Sequence, residues 1–307
     1  MSQYLDDKDL FLEPKTKQYG SHMVMTNVHK PSKTKFINID TKFRDDYNYT
    51  QAANYNISLP QRINEVKTMA VKSIEIPMTF YNISSSLGNN YFKVTDNSYN
   101  NLEQVLTIPD GQYTSTEIAA AITAAINASA HITDLSFALA GNQSRFYTNN
   151  STFTLEFDID QYGGMDKYNF NFKLGWLLGF RKPNYVIHRH AASITSESFV
   201  DLTAPRYLFL AIDEFNKGNQ SSFISPLSSS LINKNIIARI TIDKTMYPFG
   251  TVFPATEYGG YLISDKRSYT GKIDLQKLNI QLLSENGTVI HLNGADFSFC
   301  LEVEHEA

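Results

Sequence analysis

The sequence predicts a mainly β protein, and three observations carry that prediction. Short runs alternate apolar and polar residues through most of the chain, turn dipeptides separate the runs, and only one stretch keeps a helical period. The pattern is clearest over residues 272–305. Leu278, Ile280 and Leu282 alternate with Asn279, Gln281 and Leu283, the period-2 signature of a half-buried strand. Asn286-Gly287 tolerates the positive φ angles of a tight turn, and Thr288, Val289 and Ile290 begin a return strand. After Asn293-Gly294, Phe297, Phe299, Leu301 and Val303 alternate with Ser298, Cys300, Glu302 and Glu304. The expectation is a three-stranded antiparallel meander that closes the chain.

Residues 1–33 form an extended N-terminal arm without sustained periodicity, interrupted by Leu10-Phe11-Leu12 and Met23-Val24-Met25. These six apolar residues are the candidate interface, expected to order against a neighbouring subunit. Residues 35–40 read as the first strand, 41–49 as a polar loop, and 55–60 as a strand ended by Pro60. Over 66–76, Met69, Val71 and Ser73 are expected on one face and Ala70, Lys72, Ile74 and Ile76 on the other, with a break at Pro77.

The middle of the chain changes character. Residues 91–94 and 104–108 read as paired strands, and Pro109-Asp110-Gly111 as a turn. Thr114-Ser115-Thr116-Glu117 is a capping box, after which Ile118, Ala121, Ile122, Ala125 and Ile126 share one helical face. Strands follow at 135–139, 145–147 and 153–159. The apolar piece 174–180, with the only tryptophan, reads as a helical turn plugging a small core. Residues 85–190 are therefore expected as an inserted small α+β domain within a discontinuous sandwich of 34–84 and 191–307. In the sandwich, 198–202, 207–212, 236–242 and 261–263 read as strands, and 213–231 and 246–260 as loops. About eight strands with long loops and no crossover helices make a single jelly-roll-type antiparallel β-sandwich.

Composition narrows function. The apolar fraction of 42% supports a substantial core, while charged residues at 19% are few, so surface polarity falls to Asn, Ser, Thr, Gln and Tyr. A net charge of −4 gives no sign of nucleic-acid binding, and one cysteine excludes an internal disulfide and a cysteine zinc site. No apolar run approaches a membrane span, and residues 1–20 lack a signal-peptide core. With 20 Phe and 18 Tyr, the chain is rich in side chains suited to interfaces.

No phosphate-binding, dinucleotide, nucleophile-elbow or zincin motif is present. His188-Arg189-His190 offers half of a metal site without a third ligand. Asp158 with Asp160, or Asp213 with Glu214, is the nearest approach to a glycosidase carboxylate pair. Asp45-Asp46 is weak as a cation site, Cys300 reads as a small strand side chain, and Gly163-Gly164 as a turn. No cofactor, metal or catalytic residue is expected; the chain reads as a protein that makes contacts.

Several stretches together carry a resemblance. Phe36-Ile37-Asn38-Ile39-Asp40-Thr41-Lys42-Phe43-Arg44-Asp45, Ser73-Ile74-Glu75-Ile76-Pro77 with Phe80-Tyr81-Asn82-Ile83, and Ile108-Pro109-Asp110-Gly111-Gln112-Tyr113-Thr114 are three of them. The others are 174–180, 281–287 and Leu292-Asn293-Gly294-Ala295-Asp296-Phe297-Ser298. In this order, from 36 to about 304, the chain resembles the minor capsid or penton (vertex) protein family of nucleocytoplasmic large DNA viruses. The resemblance implies a virion protein made in the host cytoplasm. Its partners would be itself, as a homopentamer, the major capsid protein and other minor capsid proteins. The alternative from another class is an outward-facing carbohydrate- or receptor-binding jelly roll, and a glycosidase-type enzyme is a third.

Overall fold

A computed structural model describes residues 31–306 apart from 168, 190–192, 216–218, 221–223 and 226–234. The six candidate interface residues of the arm, Leu10, Phe11, Leu12, Met23, Val24 and Met25, lie outside the described residues, as does His190.

The larger sheet is built from β1 (Ser32–Asp40) and the 24-residue β2 (Asn54–Pro77) at the start of the chain. From the second half come β10 (Tyr207–Asp213), β11 (Asn219–Gln220), β12 (Ile236–Thr241), β13 (Val252–Thr256), β14 (Leu262–Ser264), β15 (Arg267–Ser284) and β16 (Ser298–Glu306). Between them run β3 (Tyr91–Asp96), β4 (Leu102–Thr107), helix α1 (Ser115–Asn127), β5 (Leu135–Ala140), β6 (Gln143–Thr148) and β7 (Phe153–Glu156). The short helix α2 (Leu174–Leu177), β8 (Asn184–Ile187) and β9 (Ser193–Phe199) complete this middle part.

β2 belongs to both faces of the larger sheet. Residues 54–58 pair with 281–277 of β15, whereas 66–75 pair with 305–298 of β16, and 73–77 also carry β13 on the opposite edge. Dividing β2 at this change of partner leaves eight strands in chain order. One face then has the order first, eighth, third, sixth (β1, β16, late β2, β13). The other has the order second, seventh, fourth, fifth (early β2, late β15, β10, β12), with β14 added at its edge. This is the strand arrangement of a jelly roll. The faces enclose one core, in which Tyr55, Met69, Ile74, Leu210, Ile240, Phe253, Leu282, Phe299 and Leu301 are buried.

Four local expectations are corrected. Pro60 does not end its strand: it falls between Ser58 and Ile63, where the ladder with β15 is interrupted, so its missing N–H costs no ladder bond. Met69 and Val71 share the core with Ile74 and Ile76, because the register skips Lys72 between the Leu301–Val71 and Cys300–Ser73 pairs. That bulge reverses the phase of the alternation and sends Lys72 outward to Glu257 at 2.9 Å. The C-terminal meander is not formed. The late part of β15 (277–281) and β16 lie against different parts of β2, early β15 flanks residues 66–69 on the edge opposite β16, and the 288–290 segment returns only through a Leu283–Val289 bridge. The expected 246–260 loop contains β13, whose Pro254 sits in a strand paired on one side only.

The middle part has its own core. A four-stranded sheet (β4-β3-β7-β8) and a three-stranded sheet (β5-β6-β9) bury Phe92, Phe146, Phe157 and Phe180. Helix α1 lays Ile118, Ile122 and Ile126 against them. Its capping box forms as expected: Glu117 N–H donates to Thr114 Oγ1 (3.3 Å) and Thr114 N–H donates to Glu117 Oε2 (2.8 Å). The Thr114 N–H also holds the Glu117 carboxyl below its usual range. β9 pairs with β6, so residues 193–199 sit in this sheet and not in the sandwich, beyond the 190/191 boundary expected from the sequence.

The apolar piece 174–180 owes its shape to Gly179, at φ +95, where an added Cβ would strike the Ser198 carbonyl that crosses it. Gly179→Ala is expected to cost about 2–5 kcal/mol, from left-handed backbone strain plus the clash. A urea titration that leaves the midpoint unchanged would refute this account.

Candidate contact site at the loop end of the sandwich

Antiparallel alternation brings the connections 41–53, 78–206, 242–251 and 285–297 to one end of the jelly roll. Direct bonds join them. Thr41 Oγ1 donates to Asp296 Oδ1 (2.7 Å), and the Arg44 guanidinium donates to the same oxygen (2.7 Å). Both partners of that ion pair are largely buried, and Arg44 also lies 3.9 Å over the Tyr47 ring. Charge-assisted bonds in such surroundings are stronger than exposed ones. The strand end 36–45 is thereby tied to 292–298, more than 250 residues later.

The second stretch joins the same cluster. Thr79 Oγ1 donates to the Leu292 carbonyl (2.7 Å), and Asn293 Nδ2 donates to the Thr79 carbonyl (2.6 Å). Tyr81 stacks on Phe249 with ring centroids 5.8 Å apart. Asn82, 2% exposed, joins the segment before α1 to the exit of the middle part. Its Nδ2 donates to the carbonyls of Tyr113 (2.8 Å) and Leu202 (3.1 Å), while its Oδ1 accepts from Tyr113 N–H (2.9 Å). The Pro109-Asp110-Gly111 turn is held by Asp110, which accepts from Ser85 N–H (2.7 Å), Ser85 Oγ and Asn90 Nδ2. Sequence reasoning singled out these stretches as strand and turn signatures; that they touch one another had no signal in any one of them.

Large apolar side chains stand exposed at this end: Phe43 at 76%, Tyr49 at 92% and Met246 at 66%, with Tyr47 and Phe249 partly exposed. Singly such residues need no explanation, but several on neighbouring loops mark a contact surface.

Lys244 closes the exit of the middle part. Its ammonium donates to the carbonyls of Thr203 and Ala204, both at 2.8 Å. Burial lowers its pKa to about 8, against the opposing pull of Glu285 and Asp201. Between pH 8 and the ordinary lysine range the unfolded chain therefore binds more protons than the folded one, and this group makes stability rise with pH. Melting temperatures from pH 7.5 to 9.5 are expected to climb more in the wild type than in Lys244→Met; parallel profiles would refute the assignment.

Four of the six acidic candidates have carboxylates with structural partners among the described residues. Asp160 Oδ1 accepts from Tyr162 N–H (2.8 Å) and Gly164 N–H (2.9 Å), shaping the Gly163-Gly164 turn. Asp158 contributes its carbonyl to Asp166 N–H. Asp213 Oδ1 accepts from Phe215 N–H (2.7 Å), and Glu214 pairs with Arg267 at 2.7 Å inside the protein. Asp45 accepts from the Ser58 hydroxyl (2.8 Å), whereas Asp46 takes a turn conformation at φ +52. His188 is exposed at a strand end, and no group of three potential metal ligands occurs among the described residues. Cys300 is half-buried on β16, its thiol pushed up by burial and by Glu302 and Glu75. No helix of the described residues is long and apolar enough to cross a membrane.

The chain is similar to a mavirus penton protein. The alignment covers 90% of this chain and 99% of that one, at 8% identity and a TM-score of 0.42. A chain of the Sputnik virophage, from its 3.5 Å cryo-EM structure, aligns over 89% of this chain and 98% of its own, at 11% identity and a TM-score of 0.39. No protein-family model and no curated protein sequence matches.

Proposed function

We propose that the chain is a structural virion protein, a minor capsid protein, and specifically the penton subunit at icosahedral five-fold vertices. The observation that supports this most is the meeting of the stretches that resemble the virion family. Widely separated in sequence, 36–45, 73–83, 108–114 and 292–298 form one bonded constellation at the loop end of a jelly roll. The exposed aromatics beside it offer contact area. In this role the jelly rolls pack side by side around the symmetry axis, and the arm of residues 1–33 runs to neighbouring subunits through Leu10, Phe11, Leu12, Met23, Val24 and Met25. The major capsid protein and other minor capsid proteins are its remaining partners. No reaction is assigned: Asp45, Asp160, Asp213 and Glu214 are engaged in a strand tie, turns or an ion pair.

The test is the native mass of the full-length recombinant protein. A pentamer, about five times the chain's 34.8 kDa, is expected. A trimer would overturn the penton assignment, and the protein's absence from purified particles by mass spectrometry would overturn the virion role. Removing residues 1–33 should preserve the fold and weaken assembly.

A further inference from the structure

Between the two cores lies a cleft of about 270 Å³, just below the usual range of ligand sites and large enough for a small molecule. Its walls come from three places in the chain: Ser86 after β2, Asp166, Asn169, Phe172 and Lys173 before α2, and Asn286 in the turn after β15. The two formal charges on these walls cancel. Lys173, whose side chain is 6% exposed, holds Asp166 at 2.8 Å, so the cleft presents no net charge to an ion. Asp166 in turn accepts from Asn169 Nδ2 (3.1 Å), which fixes that amide and leaves its oxygen free to accept. The Asn286 side-chain amide makes no hydrogen bond among the described residues and offers a donor and an acceptor at the opposite wall. The Ser86 hydroxyl, 2.7 Å from that of Ser84, stands at the exposed rim, and the half-buried Phe172 ring supplies apolar surface.

From these walls we propose that the cleft is a binding site for a neutral carbohydrate of monosaccharide size. A pyranose has what the walls lack: several hydroxyls that both donate and accept, an apolar face for a ring, and no charge. A phosphate or carboxylate finds no unpaired cation here, and a purely apolar ligand would strand the amides without partners. This role is separate from shell building, because the cleft does not use the exposed aromatics of the loop end. It would let one subunit hold neighbours and a glycan together.

The test uses saturation-transfer NMR on the full-length protein, with the methyl glycosides of glucose, galactose, mannose and N-acetylglucosamine. Methyl sialoside and glucose 6-phosphate serve as anionic probes. At least one neutral glycoside is expected to receive saturation. Ser86→Trp, at an exposed position, should fill the cleft and abolish the signal. Asn169→Ala should weaken binding about fivefold to tenfold, as the loss of one hydrogen-bonding amide predicts. Both variants should keep the wild-type circular dichroism spectrum; a variant that does not is replaced by Asn286→Trp, which blocks the opposite wall. Saturation of none of the neutral probes, of the anionic probes alone, or of a glycoside whose binding survives Ser86→Trp would each overturn the proposal.

Discussion

Replacing Arg267 with methionine is expected to cost about 3–5 kcal/mol of stability, because it strands a buried charge. Arg267 stands at the start of β15 with its side chain 1% exposed, and its partner Glu214, just past β10, is fully buried. One guanidinium nitrogen donates to Glu214 Oε2 and to the Ile212 carbonyl, both at 2.7 Å, and the other donates to the Asn235 carbonyl at 2.6 Å. The side chain therefore neutralises a carboxylate and gathers the end of β10 and the approach to β12. Without it, the buried carboxylate loses its cationic partner and the Ile212 and Asn235 carbonyls each lose one charge-assisted bond. Nearby, burial pushes the Tyr269 hydroxyl pKa upward, with the Glu214 charge adding to the effect. The thermal midpoint of Arg267→Met should fall by roughly 10 °C. Arg267→Met combined with Glu214→Leu should recover at least half of the loss, since an apolar pair carries no desolvation cost. Lys266, half exposed beside Glu302 and Glu304, supplies the contrast: Lys266→Ala should change stability by at most about 1 kcal/mol. If Arg267→Met melted with the wild type, the buried pair would not be holding this end of the sandwich.

The second large effect is expected at Phe146. Its ring is fully buried and meets Phe137 at 4.8 Å, Phe92 and Phe180 at 5.8 Å, and Phe157 at 6.5 Å between centroids. Phe146→Ala removes the side chain on which the two small sheets converge, and should cost about 3–5 kcal/mol. The loss should be local. The sandwich core contains none of these rings, and the bonds between the two parts run through a few residues at their junction, Asn82 and Lys244 among them. Amide hydrogen exchange should show lost protection over β3, β6 and β7, with β10 and the late part of β15 still protected. Loss of protection in both parts together would mean that they unfold as one cooperative unit.

Much of this fold was legible before the structure, because its rules are local. Alternation located β1, β12 and β16, a continuous apolar run located β10, Asn-Gly pairs marked the turns after β15 and before β16, and the capping box set the first turn of α1. Where local rules misled, a partner strand had intervened. Nothing near Lys72 announces a bulge, since the extra residue exists only relative to the register of β16. β15 and β16 look like neighbours in a meander because they are close in sequence, yet β2 takes the late part of β15 and β16 into different faces. β13 was missed because Pro254 argues against a strand unless one edge stays unpaired. At the contact site the residues were legible and their meeting was not: Asp40 reads as a strand end, and Asp296 follows the break at Asn293-Gly294. For the acids, Glu214 read as a loop residue because its partner lies 53 positions away in the chain.

The sequence by itself determined the β class, the turns, the helix with its cap and the absence of any recognisable catalytic pattern, all encoded within a few residues of each position. The tertiary structure alone decided which strands share a face, where β2 changes sheet, and which charges lie buried in pairs. It also decided that a neutral, amide-lined cleft lies between the two cores. Those outcomes depend on contacts between residues far apart in the chain, which no local pattern specifies.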